Sequence, residues 1–223
     1  MKLICIGRNY GEHAKELGNA VPEEPVVFLK PESALIPRNG PIRLPSFSND
    51  VHHEIELVFA IARRNGKAVA DRVTIGLDLT ARDLQQELKT KGLPWEKAKA
   101  FDGSAYVADS FTAVESFPAG HHIEFMLKKN GQVVQSGHSS QMIFDIPALI
   151  ANVERYMQLE TDDLLFTGTP AGVGPLKVGD ELEGYMLGEL LFERTGERPF
   201  PPLGKARFAA HDQDRPRRQH RLR

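Results

Sequence analysis

Cysteine is almost missing from this chain: Cys5 stands alone in 223 residues. An internal disulfide is therefore excluded, which fits a reducing, cytoplasmic setting. Long apolar runs are missing too. Leu3-Ile4-Cys5-Ile6 is too short for a signal-peptide core and is followed at once by Arg8 and Glu12. No stretch approaches membrane-spanning length, so no membrane partner is expected. Nor is there an excess of charge of one sign. A net charge of −2 excludes a broadly basic surface for nucleic acid, and 41% hydrophobic residues exclude wholesale disorder. No internal repeat is visible. The length suits one sizeable domain with a substantial core.

What is present reads as a mixture of many strands and few helices. Strands are expected at Lys2–Ile6, Val26–Lys30, His53–Ala62 and Asp163–Thr167, with Val73–Leu77 as a further apolar run. Asn130-Gly131 between Ile123–Lys129 and Gln132–Gln135 is a strong two-residue hairpin signal. Arg63–Lys67 marks a turn, Gly168–Gly174 a glycine-rich one, and Pro37, Pro41 and Pro45 punctuate a loop. Helical spacing appears at Asn9–Leu17, at Ala81–Lys91 before Gly92 and Pro94, and at Met142–Leu159. Strands and helices do not alternate regularly, which argues α+β rather than a doubly wound sheet.

Acidic residues inside apolar stretches carry the functional signal. Glu54 and Glu56 alternate with Ile55 and Leu57 and so share one strand face, and Asp78 ends a second apolar run. The plain alternative is a solvated strand face. Three carboxylates converging on a core are costly unless a positive group neutralises them, and a hard divalent cation suits oxygen-only ligands. His13 and Glu16 are three apart on a helical stretch, where a carboxylate orients an imidazole as a general base requires. Arg82 and Gln85 lie one turn apart, and Lys99 sits among apolar neighbours. Such cations and amide donors hold a carboxylate or stabilise an oxyanion.

The order of these segments resembles the fumarylacetoacetate hydrolase family, in its short branch of acylpyruvate hydrolases and oxaloacetate decarboxylases. The likeness runs through Cys5-Ile6-Gly7-Arg8-Asn9-Tyr10 with His13 and Glu16, Phe28-Leu29-Lys30-Pro31 and His52-His53-Glu54-Ile55-Glu56-Leu57. It continues through Leu77–Gln85, Lys91-Gly92-Leu93-Pro94-Trp95, Ser140–Phe144 and Thr167–Gly174. The resemblance implies a mixed β-roll with flanking helices, usually dimeric. It implies Glu54, Glu56 and Asp78 as ligands of Mg2+, with Mn2+ or Ca2+ as alternatives. His13, Glu16 and Lys99 would be catalytic, and Phe28, Lys30, Arg82, Gln85 and Thr169 would line the substrate site.

The expected activity is hydrolysis of a carbon–carbon bond in an acylpyruvate-type 2,4-dioxo acid. His13, oriented by Glu16, would take a proton from the attacking water. Lys99 and Gln85 would steady the oxyanion, and cleavage would leave a pyruvate enolate. Because oxaloacetate decarboxylation, tautomerisation and isomerisation of unsaturated 2-oxo dicarboxylic acids pass through a similar enolate, they stay open as the alternative. Two departures stand out: His138 before Met142-Ile143-Phe144, a segment expected near the pocket rim, and an Arg-rich end. The catalytic domain is expected over 1–193, with its final strand at Glu189–Phe192, and a flexible tail over 194–223.

Overall fold

Asn65 and Gly66 both adopt positive φ, 51° and 77°, and so turn the chain tightly enough to join its two longest strands. The computed structural model describes residues 1–18 and 20–198. Along the chain these are β1 (Leu3–Gly7), α1 (Gly11–Glu16), β2 (Val26–Lys30), β3 (Ile42–Arg43), β4 (Val51–His53), β5 (Ile55–Arg64), β6 (Lys67–Asp78) and β7 (Thr80–Ala81). Helices α2 (Arg82–Thr90) and α3 (Glu96–Lys99) follow, then β8 (Ala105–Val107), β9 (Thr112–Ala113), β10 (Glu124–Lys129) and β11 (Gln132–His138). The remainder is α4 (Ile146–Glu154), β12 (Leu164–Phe166), β13 (Gly174–Pro175), β14 (Glu181–Met186) and β15 (Glu189–Glu197).

The strands form a mixed sheet in the order β2-β1-β12-β5-β6-β8, with β9 also on β6, a second sheet β11-β10-β14-β15-β3, and a small sheet β13-β4-β7. The pairs β1–β12 and β15–β3 are parallel, and the others antiparallel. The α+β expectation is met. Ile55, Leu57, Ile75 and Leu77 are wholly buried at the centre of the core, and Tyr106 packs edge-on to Phe192 at 4.9 Å between the two larger sheets. Burial of each such side chain contributes roughly 1.5–3 kcal/mol.

Several boundaries move, each for a local reason. The strand expected over His53–Ala62 breaks at Glu54, because β4 pairs with β13 and β7 while β5 pairs with β12 and β6. The helix expected from Met142 starts at Ile146. The Asp145 side chain accepts from Ala148 N at 2.9 Å and Pro147 follows it, whereas Met142 bridges to Tyr10. The last strand runs on to Glu197, past the boundary expected at 193, because its end pairs with β3. The rest of the Arg-rich tail lies outside the described residues.

Candidate metal centre and substrate pocket

Glu54 sits at the β4–β5 break, Glu56 within β5 and Asp78 at the end of β6, so the hairpin brings all three carboxylates together. Asp78 N donates to Glu54 O at 2.9 Å, which sets their relative height. One oxygen of each carboxylate lies within 4.8 Å of the others, and all three residues are buried. The shared strand face expected for the glutamates is thus interrupted at Glu54, yet alternation still turns both inward.

The cluster is balanced by cations. Lys99 Nζ donates to Glu54 at 2.7 Å and to Asp78 at 2.5 Å, and Arg82 bonds the other oxygen of Glu54. Lys30 Nζ lies 2.8 Å from Asp78 Oδ1. Burial raises the Glu54 carboxyl, but Lys99, Arg82 and His13 outweigh it and hold the group well below the usual carboxylate range. For Glu56, burial leads and Asp78 and Glu54 add to it, so its carboxyl is pushed well above that range. Lys99 is the converse: burial lowers it, and Asp78 and Glu54 raise it further, so it stays charged.

The donor set fits a hard divalent cation. Asp78 Oδ1 is buried and has no hydrogen-bond partner, since Lys30 approaches it off the hydrogen-bonding direction. Glu56 receives one backbone donor, Gly168 N at 2.8 Å, and enters no ion pair among the described residues. Gly168 has φ +94°, and a Cβ there would stand 2.8 Å from Asn9 Cβ, so the position needs glycine. Burial and the neighbouring carboxylates favour the protonated form of Glu56, so cation binding there competes with protonation. Affinity should therefore fall as pH drops through the raised Glu56 pKa, with proton release that titration calorimetry in buffers of different ionisation enthalpy would detect. The linked stability runs the other way. In cation-free protein Glu56 contributes stability that is present at acid pH and lost as pH rises through that pKa.

His13 is buried on α1, with Nδ1 3.1 Å from Glu16 Oε2, so the expected dyad is formed. Glu16 Oε1 accepts from Gly172 N at 3.0 Å, which ties the dyad to the glycine-rich turn. Asn9 anchors the entry to α1 through Nδ2 to Thr167 O at 2.9 Å and Oδ1 from Phe144 N at 2.8 Å. That is the use made of the Met142–Phe144 segment. Its neighbour His138 bonds Ser140 and does not line the pocket.

His13, Glu54, Glu56, Asp78, Phe28, Arg82, Gln85, Lys99 and Thr169 line one pocket, so the fold brings these candidate site residues together. Gln85 Oε1 accepts from Arg82 Nη1 at 2.7 Å, which leaves its amide nitrogen free to donate. Lys99 Nζ stands 5.1 Å from the centre of the Phe28 ring. The structure corrects one placement. Lys30 is fully buried behind the triad and bonds Lys99 O, Leu79 O and Ser104, so it cannot touch substrate. Thr169 stays in the pocket lining, with its hydroxyl donating to Ile55 O at 2.7 Å and accepting from Gln135 Nε2. Gln135, Arg8, Lys89 and Trp95 were not singled out from sequence. The spacing of Arg82, Gln85 and Lys89 along one helix face was the available signal for Lys89.

Residues 2–197 match the fumarylacetoacetate (FAA) hydrolase C-terminal family. The chain is 42% identical over 204 residues to oxaloacetate tautomerase FAHD1, mitochondrial, of Bos taurus, covering 88% of this chain and 92% of that protein. It is 42% identical over 190 residues to the mitochondrial oxaloacetate decarboxylase of Dictyostelium discoideum, covering 82% and 87%. Among solved structures, fumarylpyruvate hydrolase from Pseudomonas aeruginosa in complex with Mn2+ and pyruvate superposes with a TM-score of 0.78 at 32% identity, covering 90% of each chain. With the family matched along nearly the whole described chain and the acidic triad buried where two strands meet, this protein belongs to the fumarylacetoacetate hydrolase family.

Proposed function

We propose that this protein is a divalent-cation-dependent enzyme that converts a short 2-oxo acid to and from its enol form, with oxaloacetate tautomerisation as the reaction it serves. The observation that carries this reading is a buried carboxylate triad sharing one pocket with an oriented imidazole. The named activity of the Bos taurus relative, oxaloacetate tautomerase, favours tautomerisation over hydrolysis, and the D. discoideum relative is named for the same acid as an oxaloacetate decarboxylase. A divalent cation such as Mg2+ or Mn2+, held by Glu54, Glu56 and Asp78, supplies Lewis acidity that stabilises negative charge on the 2-oxo oxygen. His13 Nδ1 is engaged by Glu16, so Nε2 is the atom that takes the proton from the carbon beside the 2-oxo group and delivers it to the enolate oxygen, the reverse transfer restoring the keto form. Glu16 stabilises the imidazolium formed in between. The free amide nitrogen of Gln85 donates to the developing oxyanion. Cys5, a buried free thiol, suits a reducing compartment such as the cytoplasm.

A second reading is acylpyruvate hydrolysis, favoured by the same dyad, which is equally placed to deprotonate water, and by the named activity of the P. aeruginosa protein. The two readings separate on a panel of oxaloacetate, acetylpyruvate and fumarylpyruvate, assayed with Mn2+ and with chelator. The expected result is chelator-sensitive loss of enol absorbance with oxaloacetate that exceeds cleavage of the dioxo acids. Faster cleavage of a dioxo acid would put hydrolysis first, and full activity in chelator would remove both readings. His13→Ala should slow the favoured reaction by roughly 10²-fold or more while cation binding survives, because His13 is no ligand. Collapse of cation binding with turnover retained would reverse those roles.

A further inference from the structure

The cations in and behind the inner pocket are already committed. Lys99, Arg82 and Lys30 each pair with a carboxylate of the triad. Two outer cations are not. Arg8 and Lys89 line the same pocket, and among the described residues neither has an acidic partner. Both lie against one ring: Arg8 Cζ is 5.9 Å and Lys89 Nζ 5.3 Å from the Trp95 centroid.

Stacking favours each cation singly, but holding two on one indole brings like charges together with no ion pair to either among the described residues, Glu54 alone opposing the repulsion at Lys89. The strain registers at Lys89, whose ammonium is pushed below the usual lysine range by burial first, and then by Arg8, Arg82 and Lys99. Arg8 also takes φ 61°, in the left-handed region that a non-glycine residue occupies at a cost. Half-buried cations that repel each other at the mouth of a pocket become favourable once an anion sits between them and the interior.

We propose that Arg8 and Lys89, with Trp95 as their shared platform, bind the distal carboxylate of a 2-oxo dicarboxylic acid and so select dicarboxylates over monocarboxylates. The inference rests on the 2-oxo acid reading above and names the part of the pocket that sets substrate class. The proximal carboxylate and 2-oxo group belong at the triad. The distal group, if charged, finds the only uncommitted cations among the pocket-lining residues. A neutral acyl end would leave them unpaired.

Trp95 is the only tryptophan in the chain, so its fluorescence reports on this subsite directly. Malate and lactate share a 2-hydroxy acid head and differ by the distal carboxylate. Titrated into Mn2+-loaded protein, malate should bind at least about 10-fold more tightly than lactate, the effect of one charge-assisted pair. Lys89→Met keeps the stem over the ring and removes the charge, and should bring that ratio below about 3-fold, whereas Lys89→Arg should restore it. Arg8→Gln provides an independent variant, and melting curves verify that each is folded. An undiminished preference in the Arg8→Gln/Lys89→Met double variant would overturn the proposal. If neither hydroxy acid nor oxalate binds the wild type, the 2-oxo acid reading itself fails, and this inference falls with it.

Discussion

Replacing Glu56 with alanine is expected to abolish catalysis and leave a folded protein. Of the three triad members, Glu56 alone has no ion pair among the described residues, while Glu54 holds Arg82 and Lys99 and Asp78 holds Lys30 and Lys99. Its removal therefore strands no buried cation. It also relieves the repulsion from Asp78 and Glu54 that, after burial, keeps the Glu56 carboxyl above the usual range. Cation-free Glu56→Ala should stay folded and melt within a few degrees of cation-free wild type, because relief of the crowded carboxylates offsets the roughly 1–3 kcal/mol of leaving Gly168 N without its acceptor. Cation affinity should fall by about 10²-fold or more, since even a lost outer-shell partner costs 10–100-fold. Turnover should fall by on the order of 10³-fold, because Lewis-acid stabilisation is worth several kcal/mol and each 1.36 kcal/mol is tenfold. Calorimetry with Mn2+ and the enol absorbance assay measure the two separately. Wild-type affinity in this variant would remove Glu56 from the ligand set.

Lys30→Met should have the opposite profile, with stability lost first. The Lys30 side chain is fully buried, with its ammonium beside Asp78 and bonded to Lys99 O, Leu79 O, Ser104 O and Ser104 Oγ. Methionine fills a similar volume but leaves Asp78 short of a cation and Leu79 O and Ser104 Oγ without the ammonium, whereas Lys99 O and Ser104 O keep Ser104 Oγ and Leu79 N as donors. Breaking a buried pair from one side costs roughly 3–5 kcal/mol. For a domain of this size that is a fall in melting temperature on the order of 10 °C. Urea unfolding in chelator measures it, and Mn2+ should recover part of the loss by neutralising Asp78. A change under about 1 kcal/mol would mean that this lysine is not the counter-charge of the triad.

How far the site was legible in the sequence differs residue by residue. Glu54, Glu56 and Asp78 stood out because carboxylates in apolar runs carry a desolvation cost that demands compensation. His13 and Glu16 were visible because an i, i+3 pair is a local helical fact, and helix α1 supplies it. Lys30 was misplaced for the opposite reason. Its hydrogen-bond partners lie 49 to 74 residues away in sequence, so no local pattern says which side of the triad its ammonium approaches from. Arg8 and Trp95 are likewise brought together only when β1 and the loop before α3 meet above the triad.

The fold divides along the same line. Hairpins such as that at Asn130-Gly131 are decided by residues that accept positive φ, here 53° and 75°, and the sequence alone determined them. It also determined the α+β class, through apolar periodicity and the lack of regular strand–helix alternation. Tertiary structure decided where elements stop. Strand β5 begins after Glu54 because two different sheets compete for the chain there, and α4 begins at Ile146 because Tyr10 and Asn9 claim Met142 and Phe144. It also decided which cations neutralise the triad and which are left for a substrate. Local preferences reach only a few residues along the chain, whereas the balance of buried charge is set by groups that only the folded sheets bring within a few ångströms.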